Sequence, residues 1–318
     1  MKLAKAPALF ATALMSLLCA APAHAQTHYV TYLASNGANG GDCSNPATPC
    51  RYFQTAYPQT TAGGRMVCLD AVDLGSIVIE QSLTMDCERG MMQARITVGP
   101  TDTVTIRGAH LEGNTLVVGV SVSGGGGTIV LDGVKVGVSH SNYGIFGVFF
   151  APDQAARLII SDSTFTGAGD PSPTANPPGG GIVIHPEGSG SARVSLERVN
   201  VGGNVFGIAF DGSTSTGGIN ATIADSMTSG NTQDGIVVTT SAGHAPIGVM
   251  VTNSKSANNG YGIRSIGPNV TVRVKNSEVV GNTIGLAAQS GGTLLSYGNN
   301  GVDANGSNGT FTGTIASK

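Results

Sequence analysis

Three polar residues, His185, Asp211 and Arg264, recur at matching places in this chain, each a few positions after a Gly-aliphatic pair: Gly181-Ile182, Gly207-Ile208 and Gly262-Ile263. Side chains alternate along a strand, so the second and fourth residues after each glycine face the same side. His185 and Asp211 are both fourth residues and Arg264 is a second residue, which puts all three outward on one surface. An imidazole oriented by a carboxylate is the arrangement of a general base. An arginine on the same surface suits the grip of a substrate carboxylate. Together they would abstract a proton from a carbon beside a carboxyl group: His185 as base, Asp211 as its orienter, Arg264 as the clamp. The competing reading is positional, since His185 precedes Pro186 and Asp211 precedes Gly212, and both places are ordinary turn positions.

Further polar groups would border the same surface. Asp234 stands in "NTQDG", Glu187 in "HPEG", and Asp170 in the long Pro-, Gly- and Ser-rich stretch "GAGDPSPTANPPGGG", Gly167 to Gly181. That stretch reads as a loop forming a binding wall, with Asn176 as a second polar contact and Tyr143, Phe206 and Tyr261 along the same edge. Asp170, Glu187, Asp234, Tyr143 and Tyr261 are therefore the expected substrate contacts. A Ca²⁺ site needs about six to eight oxygen ligands, and Asp211, Asp234 and Glu187 are too few to make one the expectation. No CxxC spacing or histidine cluster points to another metal. Aromatic residues are 5% of the chain and tryptophan is missing, which argues mildly against tight sugar stacking.

These residues need a framework that repeats. Gly accounts for 48 of 318 residues, and helical periodicity fades after residue 60. What recurs is a phrase of apolar residue, any residue, Asp or Asn, then Gly or Ser: "IVLDG", "IISDS", "TIADS", "MVTNS" and "RVKNS", with "VSLER" a weaker copy and "TVTIRG" opening the series. The anchors Gly108, Gly133, Ser163, Arg198, Ser226, Ser254 and Ser277 are 23 to 35 residues apart. An asparagine follows most anchors (Asn114, Asn204, Asn231, Asn259, Asn282), and then a Gly-aliphatic pair starts the next strand, beginning with Gly144-Ile145. Periods of this size indicate a solenoid. Asn and Gly tolerate the left-handed backbone of tight turns. Asp132, Asp162, Asp225, Asn253 and Asn276, at one repeat position, are expected to hydrogen-bond the turn backbone. The outward columns are read as Phe146, Val183, Ala209, Val237, Arg264, Ala287 and as Val148, His185, Asp211, Thr239, Ile266, Gln289.

From Val67 to Gly298 these phrases resemble the right-handed parallel β-helix of the pectate-lyase-like superfamily, and the crossover rule for parallel strands gives the same hand. The expected fold class is all-β, a single-stranded parallel β-helix solenoid with a short N-terminal capping helix at Arg51 to Tyr57. The opening "YLASNGANGGDCSNPATPCRYFQTAY" is similar to the entry segment of secreted proteobacterial β-helix proteins of unassigned function. "NNGYGIRSIG", Asn258 to Gly267, looks like the "GHG-x-SIG" strand of polygalacturonases, with Tyr261 where that family has its histidine. Those inverting hydrolases need a pair of carboxyl groups across one bond. Here Asp234 stands alone where a pair would be, "GNVFG" on the preceding repeat carries no carboxylate, and "GLAA" replaces the family's basic strand. Hydrolysis is not expected, and "NNGYGIRSIG" reads as repeat punctuation.

Residues 1–25 read as a secretory leader: Lys2 and Lys5, the apolar run Ala8 to Ala21, and the cleavage motif Ala23-His24-Ala25. The domains are then a leader at 1–25, a cap segment at 26–66, and a β-helix with its C-terminal cap at 67–318. Cys43, Cys50, Cys68 and Cys87 remain after cleavage; three connectivities are open, and local pairing, Cys43–Cys50 and Cys68–Cys87, is the one expected. A net charge of −3 without a basic run disfavours nucleic acid and anionic membrane surfaces as partners. The expected protein is a secreted or periplasmic monomer that binds or processes a polysaccharide, the balance tipping away from catalysis. A non-catalytic envelope scaffold or adhesin-like solenoid is the alternative. If enzymatic, a polyuronate lyase or epimerase fits better than a glycoside hydrolase.

Overall fold

The computed structural model describes residues 27–113, 118–138, 146–169 and 179–316. The leader segment therefore lies outside the described residues, as do Tyr143, Asp170, Asn114, Asn176 and the pair Gly144-Ile145.

One repeat shows how the chain turns into a coil. Ile219–Ala224 runs along a first face, Met227–Ser229 crosses a short second face, and Asp234–Thr239 forms a third before the chain returns at Ile247–Thr252. Ile219–Ala224 pairs in parallel and in register with Ile247–Thr252, residue for residue from Ile219↔Ile247 to Ala224↔Thr252. The other faces stack in the same way, Met227↔Lys255 on the second and Ile236↔Ile263 on the third. The first face is a sheet of 12 strands, and a 17-stranded sheet bends to form the second and third. The protein is a parallel β-helix.

Val, Ile and Thr dominate these strands because branched side chains fit a pleated, half-buried surface. Their alternation is complete: in Ile219–Ala224 the residues Ile219, Ala221 and Ile223 point inward, and their neighbours do not. Inward side chains from successive coils fuse into a single core along the axis, with Phe150, Phe165 and Phe210 among its largest members. Full burial of each such side chain is worth about 1.5–3 kcal/mol, which no single coil could gather alone.

The corner between the first and second faces uses one left-handed residue per coil: Gly108, Gly133, Asp162, Arg198, Asp225, Asn253 and Asn276, with φ from 48° to 68°. The repeat thus aligns on conformation rather than on the letter Asp, and Asp132 lies one place earlier, paired with Ser161. The side chains bonding the turn are the serines that follow, not these Asp and Asn residues. Ser226 Oγ donates to Ala224 O and accepts from Val199 N–H, and Ser254 Oγ repeats the pattern toward Thr252 O and Ser226 N–H.

At the next corner Gly203, Gly230, Asn258, Gly281 and Ala304 take the left-handed conformation. The asparagines that follow them are buried or half-buried and serve as hydrogen-bond bridges instead. Asn231 Nδ2 donates to Asn259 Oδ1 at 2.8 Å, and Asn259 Nδ2 to Asn282 Oδ1 at 3.0 Å, in a ladder from Asn204 to Asn305. The glycine opening each third-face strand is needed for close stacking: a Cβ on Gly262 would lie 2.6 Å from Gly285 O of the next coil.

At the N-terminal end, Phe53–Ala56 forms a one-turn helix continued by the 3₁₀ turn Tyr57–Gln59. Phe53 and Ala56 are buried, and the helix packs on His28–Ala38 and Asp73–Ile79. It covers apolar core that an open coil would expose. His28–Ala38 already belongs to the first face, paired in parallel with Thr60–Cys68. Disulfides join Cys43 to Cys50 and Cys68 to Cys87, in keeping with an oxidising compartment such as the periplasm or the cell exterior. Among the described residues no helix is long and apolar enough to cross a membrane.

Candidate functional site

The third face carries the candidate residues. Its pairing Phe149↔Val183↔Ala209↔Val237↔Arg264↔Ala287 defines one outward column. Phe149 opens that column, not Phe146, and Val148 points into the core. The sequence offers several glycines near this coil, and Gly147 rather than Gly144 is the one preceding the inward valine. The second column runs Asp211↔Thr239↔Ile266↔Gln289, with His185 one coil before Asp211.

A groove of about 440 Å³ opens over these columns. Phe146, Phe149, Phe206, Val183, Ala209, Val237 and Ile266 make most of its wall, while His185, Asp211, Thr239 and Arg264 supply its polar groups. The Phe146 and Phe149 rings stack at 5.0 Å, and Phe149 faces the His185 ring at 6.0 Å.

His185 Nδ1 lies 3.1 Å from Asp211 Oδ2. The other ring nitrogen, Nε2, is 3.1 Å from Thr214 Oγ1, whose own hydrogen goes to Pro186 O at 3.0 Å. In the protonated ring Nδ1–H donates to Asp211 and Nε2–H to Thr214 Oγ1, so both contacts suit an imidazolium. The hydrogen bond to Asp211 raises the His185 pKa above 6.5, against the opposing effect of burial, with Glu187 adding a smaller pull. Burial pushes Asp211 upward, but hydrogen bonds from His185 and Ser213 outweigh it and hold the carboxyl below 3.8.

Arg264 is turned to a different partner. Its Nη2 donates to Asp234 Oδ2 at 2.5 Å, its guanidinium lies 4.4 Å from the centre of the Tyr261 ring, and Asp234 is wholly buried. Arg264 stands two coils beyond Asp211, about 10 Å along the axis at the usual strand spacing. His185 with Asp211 and Arg264 with Asp234 therefore form two separate ion pairs at opposite ends of one groove. Tyr261 belongs to the Arg264 pair. Glu187 is exposed just past its strand, its N–H bonded to Pro152 O, and it does not line the groove.

Thr214 was not expected in the site. It belongs to "DGSTSTGG", a Ser/Thr-rich loop after Asp211 that folds back over the previous coil, where Gly188 bridges to Ser215. Phe149 was hidden by the register of its coil. Among the described residues no three His, Cys, Asp or Glu side chains converge in a metal-binding arrangement.

No protein-family model and no curated protein matches the chain. Among solved structures, the crystal structure of pectate lyase Pel9A superposes over 85% of this chain and 68% of its own, with 15% sequence identity and a TM-score of 0.46.

Proposed function

We propose that the protein is an exported β-helix, released from a leader at residues 1–25, that binds a polysaccharide in the third-face groove without cleaving it. The observation that carries this reading is the pairing of apolar wall with spent polar groups. Phe146, Phe149 and Phe206 offer flat surfaces to the C–H faces of sugar rings. The polar groups that could do chemistry are already engaged: both His185 nitrogens are bonded and Arg264 is closed on Asp234. Thr239 and the Asp211 rim would hydrogen-bond sugar hydroxyls. Aromatic platforms with a few fixed polar groups are the usual make-up of a binding site. A featureless scaffold would not need three phenylalanines around one groove.

One observation favours a second reading. The His185–Asp211 contact is the orientation a general base requires, so a polyuronate lyase or epimerase remains the alternative, with Arg264 as clamp. That chemistry needs His185 Nε2 to leave Thr214 and Arg264 to leave Asp234.

Titration of the full-length exported protein with neutral and uronate polysaccharides by calorimetry, with absorbance of unsaturated chain ends recorded in parallel, tests both. Binding reduced about tenfold or more by Phe149→Ala, without new absorbance, is expected. Unsaturated products that vanish in His185→Ala would replace the binding reading by the lyase reading. Unchanged affinity in Phe149→Ala would overturn the groove as the binding site.

A further inference from the structure

The first face carries a second groove, of about 740 Å³, on a different side of the coil. Three arginines line it: Arg157, Arg193 and Arg273. Arg157 and Arg193 are direct partners on neighbouring coils, so their Cα atoms are about 5 Å apart. Arg273 stands three coils beyond Arg193 and two residues further along the strands. No carboxylate lines the groove, and among the described residues none of the three guanidinium groups has a hydrogen bond or ion pair. Four other arginines are ion-paired, Arg65 and Arg107 with Asp86, Arg198 with Asp162, Arg264 with Asp234, while Arg51, Arg89 and Arg95 stand singly without an ion pair among the described residues. Like charges directly opposite one another in a sheet oppose folding. In a chain with more acidic than basic residues, two adjacent unneutralised arginines are a cost that an external anion would relieve.

We infer that this groove is a binding surface for an acidic polysaccharide strand, whose carboxylates or sulfates take the place of the missing counter-ions. The inference stands independently of the third-face reading. The outward positions between Arg193 and Arg273 are Ser195, Asn220, Thr222, Gly248 and Met250, with no charged side chain among them, so an extended chain can lie along the coil axis. Charge spacing favours a glycan over a nucleic acid: a nucleic acid strand carries a charge every ~3.4 Å, while this face offers two arginines on adjacent coils and then one three coils on. Single-stranded nucleic acid also binds through stacked aromatics, and no aromatic side chain lines this groove. A guanidinium fork matches a carboxylate or sulfate edge in geometry as well as charge.

Affinity electrophoresis of the full-length exported protein in gels containing polygalacturonate, a sulfated polysaccharide or neutral dextran tests the inference. The double variant R157A/R193A is compared with Phe149→Ala. The expected result is retention by an acidic gel but not by dextran, weakened about tenfold in R157A/R193A and lost with added salt. The double variant should unfold at the same or a higher temperature than wild type, which shows that lost retention is not lost folding. Retention that depends on Phe149 and not on the arginines would overturn this inference and leave the third-face site standing. Dependence on the arginines alone would support this inference and remove the other. Equal binding to dextran, or tighter binding to DNA or to anionic vesicles than to any acidic glycan, would overturn the choice of partner.

Discussion

Asp234 and Arg264 lie on successive coils of the third face with Oδ2 and Nη2 2.5 Å apart, and Asp234 has no exposed side-chain surface. The pair is only half satisfied, for Asp234 Oδ1 and Arg264 Nε have no hydrogen-bond partner. Burial pushes the Asp234 carboxyl up to about 6, and Arg264 pulls it back only in part. A buried pair of this kind adds little to stability, yet removing one member is costly. It closes one end of the groove by holding Arg264 flat against Tyr261.

The shift sets the sign of a pH effect. A carboxyl that binds its proton more tightly folded than unfolded makes stability fall as pH rises. The fall starts near 3.8, is complete near 6, and amounts to at most about 3 kcal/mol. Urea unfolding of wild type and Asp234→Asn at pH 4 and pH 7 measures it. Wild type should lose ground against the variant on going to pH 7, and a constant difference would show that Asp234 does not titrate in this range.

The fold could be read from the chain because its signals repeat. Apolar alternation, a turn residue and a Gly-aliphatic pair recur coil after coil, so a misread element is corrected by its neighbours. What misled was similarity of letters: "LDG" and "SDS" align on Asp, whereas the structure aligns Gly133 with Asp162, the two left-handed residues. The asparagines betrayed a turn but not their task, since a buried amide bridging coils and an exposed turn amide look alike in sequence. For the site, one-coil spacing sufficed to bring His185 to Asp211. The partner of Arg264 was not legible, because Asp234 precedes its Gly at a corner where simple alternation fails. Thr214 was hidden because loops obey no period.

His185 and Asp211 predict a stability window. His185 is raised above 6.5, so its contribution is complete below that pH and fades as pH climbs through the folded value. Asp211 is lowered below 3.8, so its share is present above that pH and fades as pH drops through the folded value. The pair should therefore stabilise most between about pH 4 and 6.5. NMR titration of the His185 ring should give a midpoint above 6.5 that moves down in Asp211→Asn. Thr214→Val, which removes the acceptor for Nε2–H, should also lower it. A midpoint at or below 6.5 in wild type would mean the contact does not hold a charged imidazole.

The disulfide Cys68–Cys87 joins residues 19 apart at the start of the coil. Closing a loop of that size is worth about 3 kcal/mol in the chain-entropy model. Because each coil touches only its neighbours, the loss in C68S/C87S should be local. Hydrogen exchange should quicken in Thr60–Cys68 and Leu83–Asp86 and stay unchanged in Val270–Lys275. Uniform loss of protection would show that the solenoid unfolds as one unit.

The asparagine ladder should be the most sensitive part of the frame away from the apolar core. Asn259 Oδ1 accepts from Asn231 N–H at 3.0 Å and from Asn231 Nδ2 at 2.8 Å, while its own amide donates to Asn282 Oδ1, Ser256 Oγ and Thr228 O. Asn259→Ala leaves the buried Asn231 N–H without a partner and Asn231 Nδ2 with Val201 O alone, each lost bond costing about 1–3 kcal/mol, so a loss near 4 kcal/mol is expected in urea unfolding. Asn305, half-buried at the end of the ladder, should cost about 1 kcal/mol when changed to alanine. Asn259→Asp separates hydrogen bonding from shape. A carboxylate still accepts from Asn231 but cannot donate to Asn282 Oδ1, so the variant should be less stable than wild type and should worsen as pH rises. Equal, small effects at Asn259 and Asn305 would mean that the ladder follows from coil stacking rather than holding it.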